Sequence, residues 1–246
     1  DGAPAATAAP AGPTPAAHAA EGAPAAHPAD RVRPLGELLR FYVPLSLTSI
    51  MALVSRPILA YGIARSGQPL ESLATWPVIN SLLFLFTSVA LSYQEAVVAK
   101  MSEDRRTESV LIRFGVLLTG ALTALFGVIA LTGGAGFWFR TVAGLEPALV
   151  ALARPAMVVL VVMPLAVTGR TLFSGMLVAV ERTSFLSFAV LANTVVLLTL
   201  VMVLPAVTDL VGTITAAIAF AAANVAQLVV LWGGYRWSRH RSIVRL

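Results

Sequence analysis

The feature that most constrains this chain is a succession of six apolar runs, each about 20 residues or longer, with short polar connections between them. Runs of this length can cross the ~30 Å hydrocarbon core of a bilayer as helices. They lie at 38–64, 76–99, 110–132, 148–180, 185–206 and 211–233. Mean hydropathy is +0.85, 58% of residues are apolar and only 12% are charged, which is more apolar surface than a soluble domain could bury. The sequence therefore predicts an all-α membrane protein, with a six-transmembrane-helix bundle over 34–236.

Four segments differ from a simple span. Residues 1–33 are rich in Ala and Pro and have no periodic apolar face, so we predict a disordered linker. Residues 237–246 are predicted to form a basic cytoplasmic tail. The fourth run is too long for one straight span, so we expect Pro155 and Pro164 to bend it, unless its end projects from the membrane. The Gly-rich segment 133–136 is predicted to be a flexible loop.

Lys and Arg are distributed unevenly between the two sides that six alternating spans define. One side receives twelve of them. The other side receives only Arg65, Arg140 and Arg154. Because cytoplasmic loops are enriched in Lys and Arg, both termini are predicted to face the cytoplasm. We expect a multi-pass protein of a bacterial inner membrane.

The residue content argues against several classes of function. The chain has no Cys, and its three His residues lie in the terminal segments without metal-ligand spacing, so no metal or cofactor is predicted. The sequence has no phosphate-binding Gly-rich loop with Lys and no Ser/His/Asp set, so an enzyme is not expected. The pI is near 10.4, but the basic residues flank apolar spans, so no nucleic-acid partner is expected.

Polar residues inside the predicted spans form the candidate site. Arg56, Glu95 and Arg170 are ionisable, and such a charge costs roughly 2.5–3.5 kcal/mol on membrane-insertion scales. A cost of this size must be offset by a carboxylate, a hydrated cavity or an anionic substrate. Gln94 and Asn80 complete the predicted substrate-binding set.

Each charged residue also has a purely structural interpretation. Glu95 lies close enough to Lys100 to reach the cytoplasmic interface. Arg56 could extend to the opposite interface or bond a carbonyl freed by Pro57. Arg170 could form an ion pair that holds two helices together. Amide residues in the later spans are interpreted as interhelical packing contacts: Asn193, Asn224 and Gln227.

Short motifs at these same positions resemble one transporter family. The motifs are LRFYVPL at 39–45, SRPI at 55–58, QEAV at 94–97, GRTLFSG at 169–175 and ERT at 181–183. Over roughly residues 35–240 the chain is similar to the second (C-terminal) lobe of progressive ankylosis protein-like transporters. That family lies in the multidrug/oligosaccharidyl-lipid/polysaccharide flippase superfamily.

This resemblance implies an inverted-V transporter of two six-helix lobes, of which this chain is one. The Ala/Pro-rich segment would then be the inter-lobe linker, and the second lobe would be a missing N-terminal half or another chain. Family members are associated with export of anions such as pyrophosphate, ATP and citrate. Arg56 and Arg170 would attract a small anionic substrate, and Glu95 would balance or gate them. Two other functions stay open, namely a flippase for a lipid-linked precursor and a membrane scaffold subunit without transport of its own.

Overall fold

The structure, a computed structural model, describes residues 53–103, 107–179 and 184–243. Regular structure in these ranges is helical apart from one isolated bridge. The helices are α1 (Leu53–Ala64), α2 (Pro69–Glu103), α3 (Glu108–Leu131), α4 (Gly134–Phe137) continued by a π-helix (Trp138–Val142), α5 (Pro147–Val159), a 3₁₀ turn (Leu160–Val162), α6 (Met163–Ala179), α7 (Ser184–Val207) and α8 (Gly212–Ile243).

Five helical segments in the described ranges are long and apolar enough to cross a membrane. They are α2, α3, the continuous segment Pro147–Ala179, α7 and α8. The prediction of an all-α chain is confirmed for the described ranges, and the five helices agree with the prediction of a multi-pass membrane protein. The first predicted span is described only as the short apolar helix α1, and its part at 38–52 lies outside the described residues, as does the predicted linker 1–33.

Predicted and observed boundaries agree for three spans and differ for two. Helix α2 begins at Pro69 rather than at 76, because proline has helical φ and no N–H to leave unpaired in a first turn. Helix α8 continues to Ile243 rather than ending at 233, through most of the segment predicted as a tail. The prediction of a loop at 133–136 was wrong, since α4 begins at Gly134.

The long fourth span is interrupted between its two prolines. Helix α5 passes through Pro155 without a break and ends at Val159, and one 3₁₀ turn precedes α6. Pro164 has no N–H to donate to the carbonyl of Leu160, four residues earlier, and its ring crowds that carbonyl. The 3₁₀ turn therefore lies just before Pro164, one of the two prolines expected to bend this span.

Helix α6 is the most central element of this part of the chain. It packs against α2, α3 and α8, while α7 packs mainly on α8 and α5 packs on both α2 and α8. Small residues permit these contacts, as at Gly175, where α6 approaches the Val97 side chain of α2. Because α6 packs against three helices, most of its described side chains are buried or half-buried.

Two backbone hydrogen bonds join the α1–α2 and α7–α8 connections. The Gly67 N–H donates to the Leu210 carbonyl at 3.0 Å, and the Gly212 N–H donates to the Gly67 carbonyl at 2.9 Å. Nearby, the Thr213 hydroxyl donates to the Leu152 carbonyl at 2.9 Å, which ties α8 to α5. We call this the bridge end of the bundle.

The opposite end is held by side chains of α3 and α8. The Glu108 carboxylate accepts a hydrogen bond from the Tyr235 hydroxyl and lies 3.8 Å from Nη1 of Arg239. We call these three residues the clamp and this end the clamp end. A buried contact lies close by, where the Tyr93 hydroxyl of α2 donates to the Leu111 carbonyl of α3 at 2.6 Å.

Candidate functional site

An open cavity of about 620 Å³ lies between helices α1 and α2, and α6 and α8 complete its walls. Helix α2 contributes a single face, with lining residues three or four positions apart from Leu73 through Asn80 and Thr87 to Leu91. Helix α1 contributes residues from Ser55 to Ile63. The cavity therefore follows the two helices for several turns from near the bridge end.

Arg170 lines this cavity from α6, the central helix. The residue is partly buried, and its Nε is inaccessible to solvent and has no hydrogen-bond partner in the part of the chain that the structure describes. A guanidinium has five N–H donors and no acceptor, so it can be satisfied only by groups that accept. Arg170 thus places at the cavity wall a guanidinium whose Nε–H has no acceptor among the described residues.

Arg56 lines the same cavity from α1. It is exposed and directly precedes Pro57, which α1 accommodates within its helical run. None of the described residues that line the cavity is Asp or Glu. Arg56 and Arg170, separated by more than a hundred residues in the chain, therefore give one cavity two positive charges.

Amide side chains supply further polar groups. Asn80, predicted as a site residue, is exposed on the α2 wall. Asn224 lines the cavity from α8 and is only 6% exposed, with its Nδ2 donating to the Phe220 carbonyl at 2.9 Å. Sequence reasoning had assigned Asn224 to packing alone, because nothing in a single sequence indicates that α8 lies beside α2.

Aromatic residues form part of the apolar wall. Trp76 and Phe220 line the cavity and meet edge to face, with ring centroids 6.1 Å apart and planes at 87°. Trp76 lies two turns inside α2, because that helix begins at Pro69.

The other two predicted site residues do not line the cavity. Glu95 is exposed on α2, four residues beyond Leu91 and on the same helix face. Gln94 is partly buried. Its backbone carbonyl lies on the side of α2 that meets Gly175. The structure thus brings together Arg56, Asn80 and Arg170 and leaves the Gln94–Glu95 pair one turn past the cavity.

The described ranges contain no group of three or more His, Asp and Glu residues that could hold a metal ion. The polar side chains that line the cavity are those of Arg56, Arg170, Asn80 and Asn224, with the hydroxyl residues Ser55 and Thr87. No protein-family model, curated protein or solved structure matches this chain. The cavity and its residues are consequently the basis on which a function can be assigned.

Proposed function

We propose that this chain is one lobe of a secondary transporter that binds a small organic or phosphate-containing anion and exports it by alternating access. The observation that carries the proposal is the presence of Arg56 and Arg170 on one cavity whose described lining residues include no carboxylate. The positive charge of such a cavity is not compensated by a lining carboxylate, and an anion that enters it would neutralise that charge. The proposed role is transport, without catalysis or a cofactor.

Guanidinium groups suit this role for a geometric reason. Their planar fork of donors can bind carboxylate or phosphate through two parallel hydrogen bonds. Two such groups would bind a di- or triacid better than a monoacid, because each can engage a separate acidic group. The amides of Asn80 and Asn224 add neutral groups that can orient the ligand.

The proposed membrane arrangement follows from the ends of the bundle. Lys100, Arg113 and Arg236 belong to the clamp end, whereas the bridge end carries Arg65, Arg140 and Arg154. We therefore place the clamp end, with both termini, in the cytoplasm of a bacterial inner membrane. The predicted first span at 38–64, which includes α1, is the proposed sixth crossing.

A second six-helix lobe is part of the proposal, supplied by another chain or by a preceding half. The cavity lies open between α1 and α2, and a facing lobe would enclose the ligand there. This arrangement agrees with the motif resemblance to progressive ankylosis protein-like transporters. Glu95, one turn beyond the cavity on the α2 face, is a candidate to balance the arginines when no anion is bound.

The scaffold interpretation requires charges closed into pairs. Arg170 Nε lacks a partner among the residues described, which favours a ligand-binding role over a purely structural one. A flippase for a lipid-linked precursor would also carry a basic cavity. Movement of a labelled lipid across vesicles that contain the protein would identify that function.

The proposal is tested with the full chain reconstituted in liposomes that contain labelled citrate, pyrophosphate or ATP. We expect efflux of at least one of these anions above that of a neutral sugar, and its loss in Arg56→Gln. Arg140→Gln is the matched control, because Arg140 is exposed and does not line the cavity. The same preparations are assayed for binding by calorimetry, which does not require a second lobe. Absence of both binding and efflux for all three anions would overturn the proposal.

A further inference from the structure

A second depression, separate from the cavity, lies between helices α1 and α7. It encloses about 360 Å³ and is lined by Val54, Pro57, Ile58 and Tyr61 of α1 and by Met202 of α7. The Tyr61 hydroxyl is the sole polar side-chain group among these lining residues. We call this depression the apolar groove.

The apolar groove has a cation at one end. Residues 54, 58, 61 and 65 recur at helical spacing, so Arg65 continues the lining face of α1 at the bridge end. Nη1 of Arg65 donates to the Tyr61 hydroxyl at 2.9 Å, and its guanidinium carbon lies 5.6 Å from the centroid of the Tyr61 ring. These contacts hold the exposed guanidinium beside the groove while leaving most of its five donors for another acceptor.

From Arg65 to the far end of the groove, the site spans one membrane leaflet. Val54 lies eleven positions before Arg65, or about 16 Å along a helix at ~1.5 Å per residue. Half of the ~30 Å hydrocarbon core of a bilayer is about 15 Å. With Arg65 at the level of the headgroups, the apolar lining, which runs from Tyr61 to Val54 over about 10 Å, therefore reaches the bilayer midplane.

From this match of charge and length, we infer that the apolar groove binds an anionic phospholipid from the leaflet at the bridge end. One acyl chain lies along α1 from Tyr61 to Val54, and the phosphate binds Arg65. A soluble anion would gain only the Arg65 contact, whereas a lipid fills the apolar volume as well. The site is independent of the proposed transport function, since the groove and the cavity share no lining residue.

Native mass spectrometry of the full chain tests this inference with two lipids of identical acyl chains. Phosphatidylglycerol carries a net negative charge and phosphatidylcholine does not. We expect phosphatidylglycerol to bind about tenfold more tightly, because the choline ammonium of phosphatidylcholine offsets the charge of its phosphate, whereas phosphatidylglycerol presents that charge uncompensated to Arg65. Arg65→Gln should lower its affinity to that of phosphatidylcholine. Arg140→Gln, which removes an exposed arginine from the same end of the bundle, should leave both affinities unchanged.

A second variant tests the acyl-chain part of the site. Met202→Trp fills the groove and should weaken both lipids while preserving the difference between them. Equal affinity of the two lipids for the unmodified chain would overturn the inference. The inference would also be overturned if Arg65→Gln and Arg140→Gln lowered the affinity for phosphatidylglycerol equally. The charge effect would then be general to this end of the bundle rather than local to Arg65. If Met202→Trp does not fold, the two arginine variants still decide the question, because both residues are exposed.

Discussion

The cavity and the clamp hold their charged residues in opposite ways. In the clamp, the Glu108 carboxylate accepts a hydrogen bond from the Tyr235 hydroxyl and lies near Arg239. Positive and negative groups therefore meet between α3 and α8. In the cavity, Arg56 and Arg170 share a space that offers no described carboxylate. Both regions lie in the same helical bundle. The difference therefore arises from where each charged residue is placed, and not from the overall composition of the chain.

This difference separates two uses of charge in a membrane protein. A paired charge can hold helices together because its partner offsets the cost of removing it from water. Arg170 has a buried Nε without a partner among the described residues, and an orphaned donor of this kind lowers the stability of the protein unless an acceptor is supplied. The following predictions, in order of decreasing effect, test whether that distinction holds.

The largest effect is expected for Arg170→Met. Methionine keeps much of the side-chain volume and removes the charge, so binding of pyrophosphate should weaken by about 30-fold or more. Calorimetry measures the affinity. The midpoint of thermal unfolding should not fall, because no described partner is left unpaired and removal of a buried charge is often neutral or stabilising. A lower midpoint with unchanged affinity would mean that Arg170 has a structural partner. The cavity and the clamp would then hold their charged residues in the same way.

A smaller effect, on stability alone, is expected for Gly212→Ala at the bridge end. An added Cβ would lie 2.8 Å from the Ser72 Cβ and 2.9 Å from Cγ2 of Ile63. Overpacking of this kind costs about 1–3 kcal/mol of unfolding free energy. Denaturant titration in detergent measures it. Gly120→Ala is the control, since nothing lies within 4 Å of the added atom. Equal stabilities of the two variants would show that the bridge end is not closely packed.

Tyr235→Phe should weaken the clamp without affecting the cavity. Loss of the hydrogen bond that the Tyr235 hydroxyl donates to Glu108 should cost about 0.5–1.5 kcal/mol of unfolding free energy. Affinity for pyrophosphate should stay unchanged. Tyr61→Phe, at an exposed hydroxyl, serves as the comparison and should change stability by about 0.5 kcal/mol or less. A drop in anion affinity with Tyr235→Phe would mean that clamp and cavity are coupled.

The smallest effect is expected for Arg239→Gln. The Arg239 side chain is 64% exposed and its nearest approach to Glu108 is 3.8 Å, so solvent screens the pair. The expected loss is about 0.5 kcal/mol or less, and added salt should reduce it further. A larger loss would identify the ion pair, rather than the Tyr235 hydrogen bond, as the main element of the clamp.

Much of the helical architecture follows from hydropathy. Spans three to five were predicted within about two residues, because apolar length decides where a helix can cross a bilayer. The ends of α2 and α8 were missed for a different reason. Residues beyond the apolar core still satisfy their backbone hydrogen bonds within the helix, so α8 continues to Ile243 where hydropathy no longer indicates a span.

The site was predictable only in part. Intramembrane charge identified Arg56 and Arg170, because placing a guanidinium in lipid requires a compensating environment. Glu95 carries the same signal and shares the α2 face, but the cavity ends at Leu91. Trp76 and Asn224 were not predicted to line the cavity. Their position there depends on the packing of α2 against α8, which cannot be inferred from a single sequence.

The hydrogen bonds at Gly67 restrict how the cavity can open. They bind the connection between α1 and α2 to the start of α8, so the two walls of the cavity are tethered next to Ile63 and Leu73. We therefore expect these walls to separate mainly at the end away from these hydrogen bonds. In the proposed two-lobe arrangement, access from the tethered side would then require rigid-body rotation of the whole lobe relative to its partner.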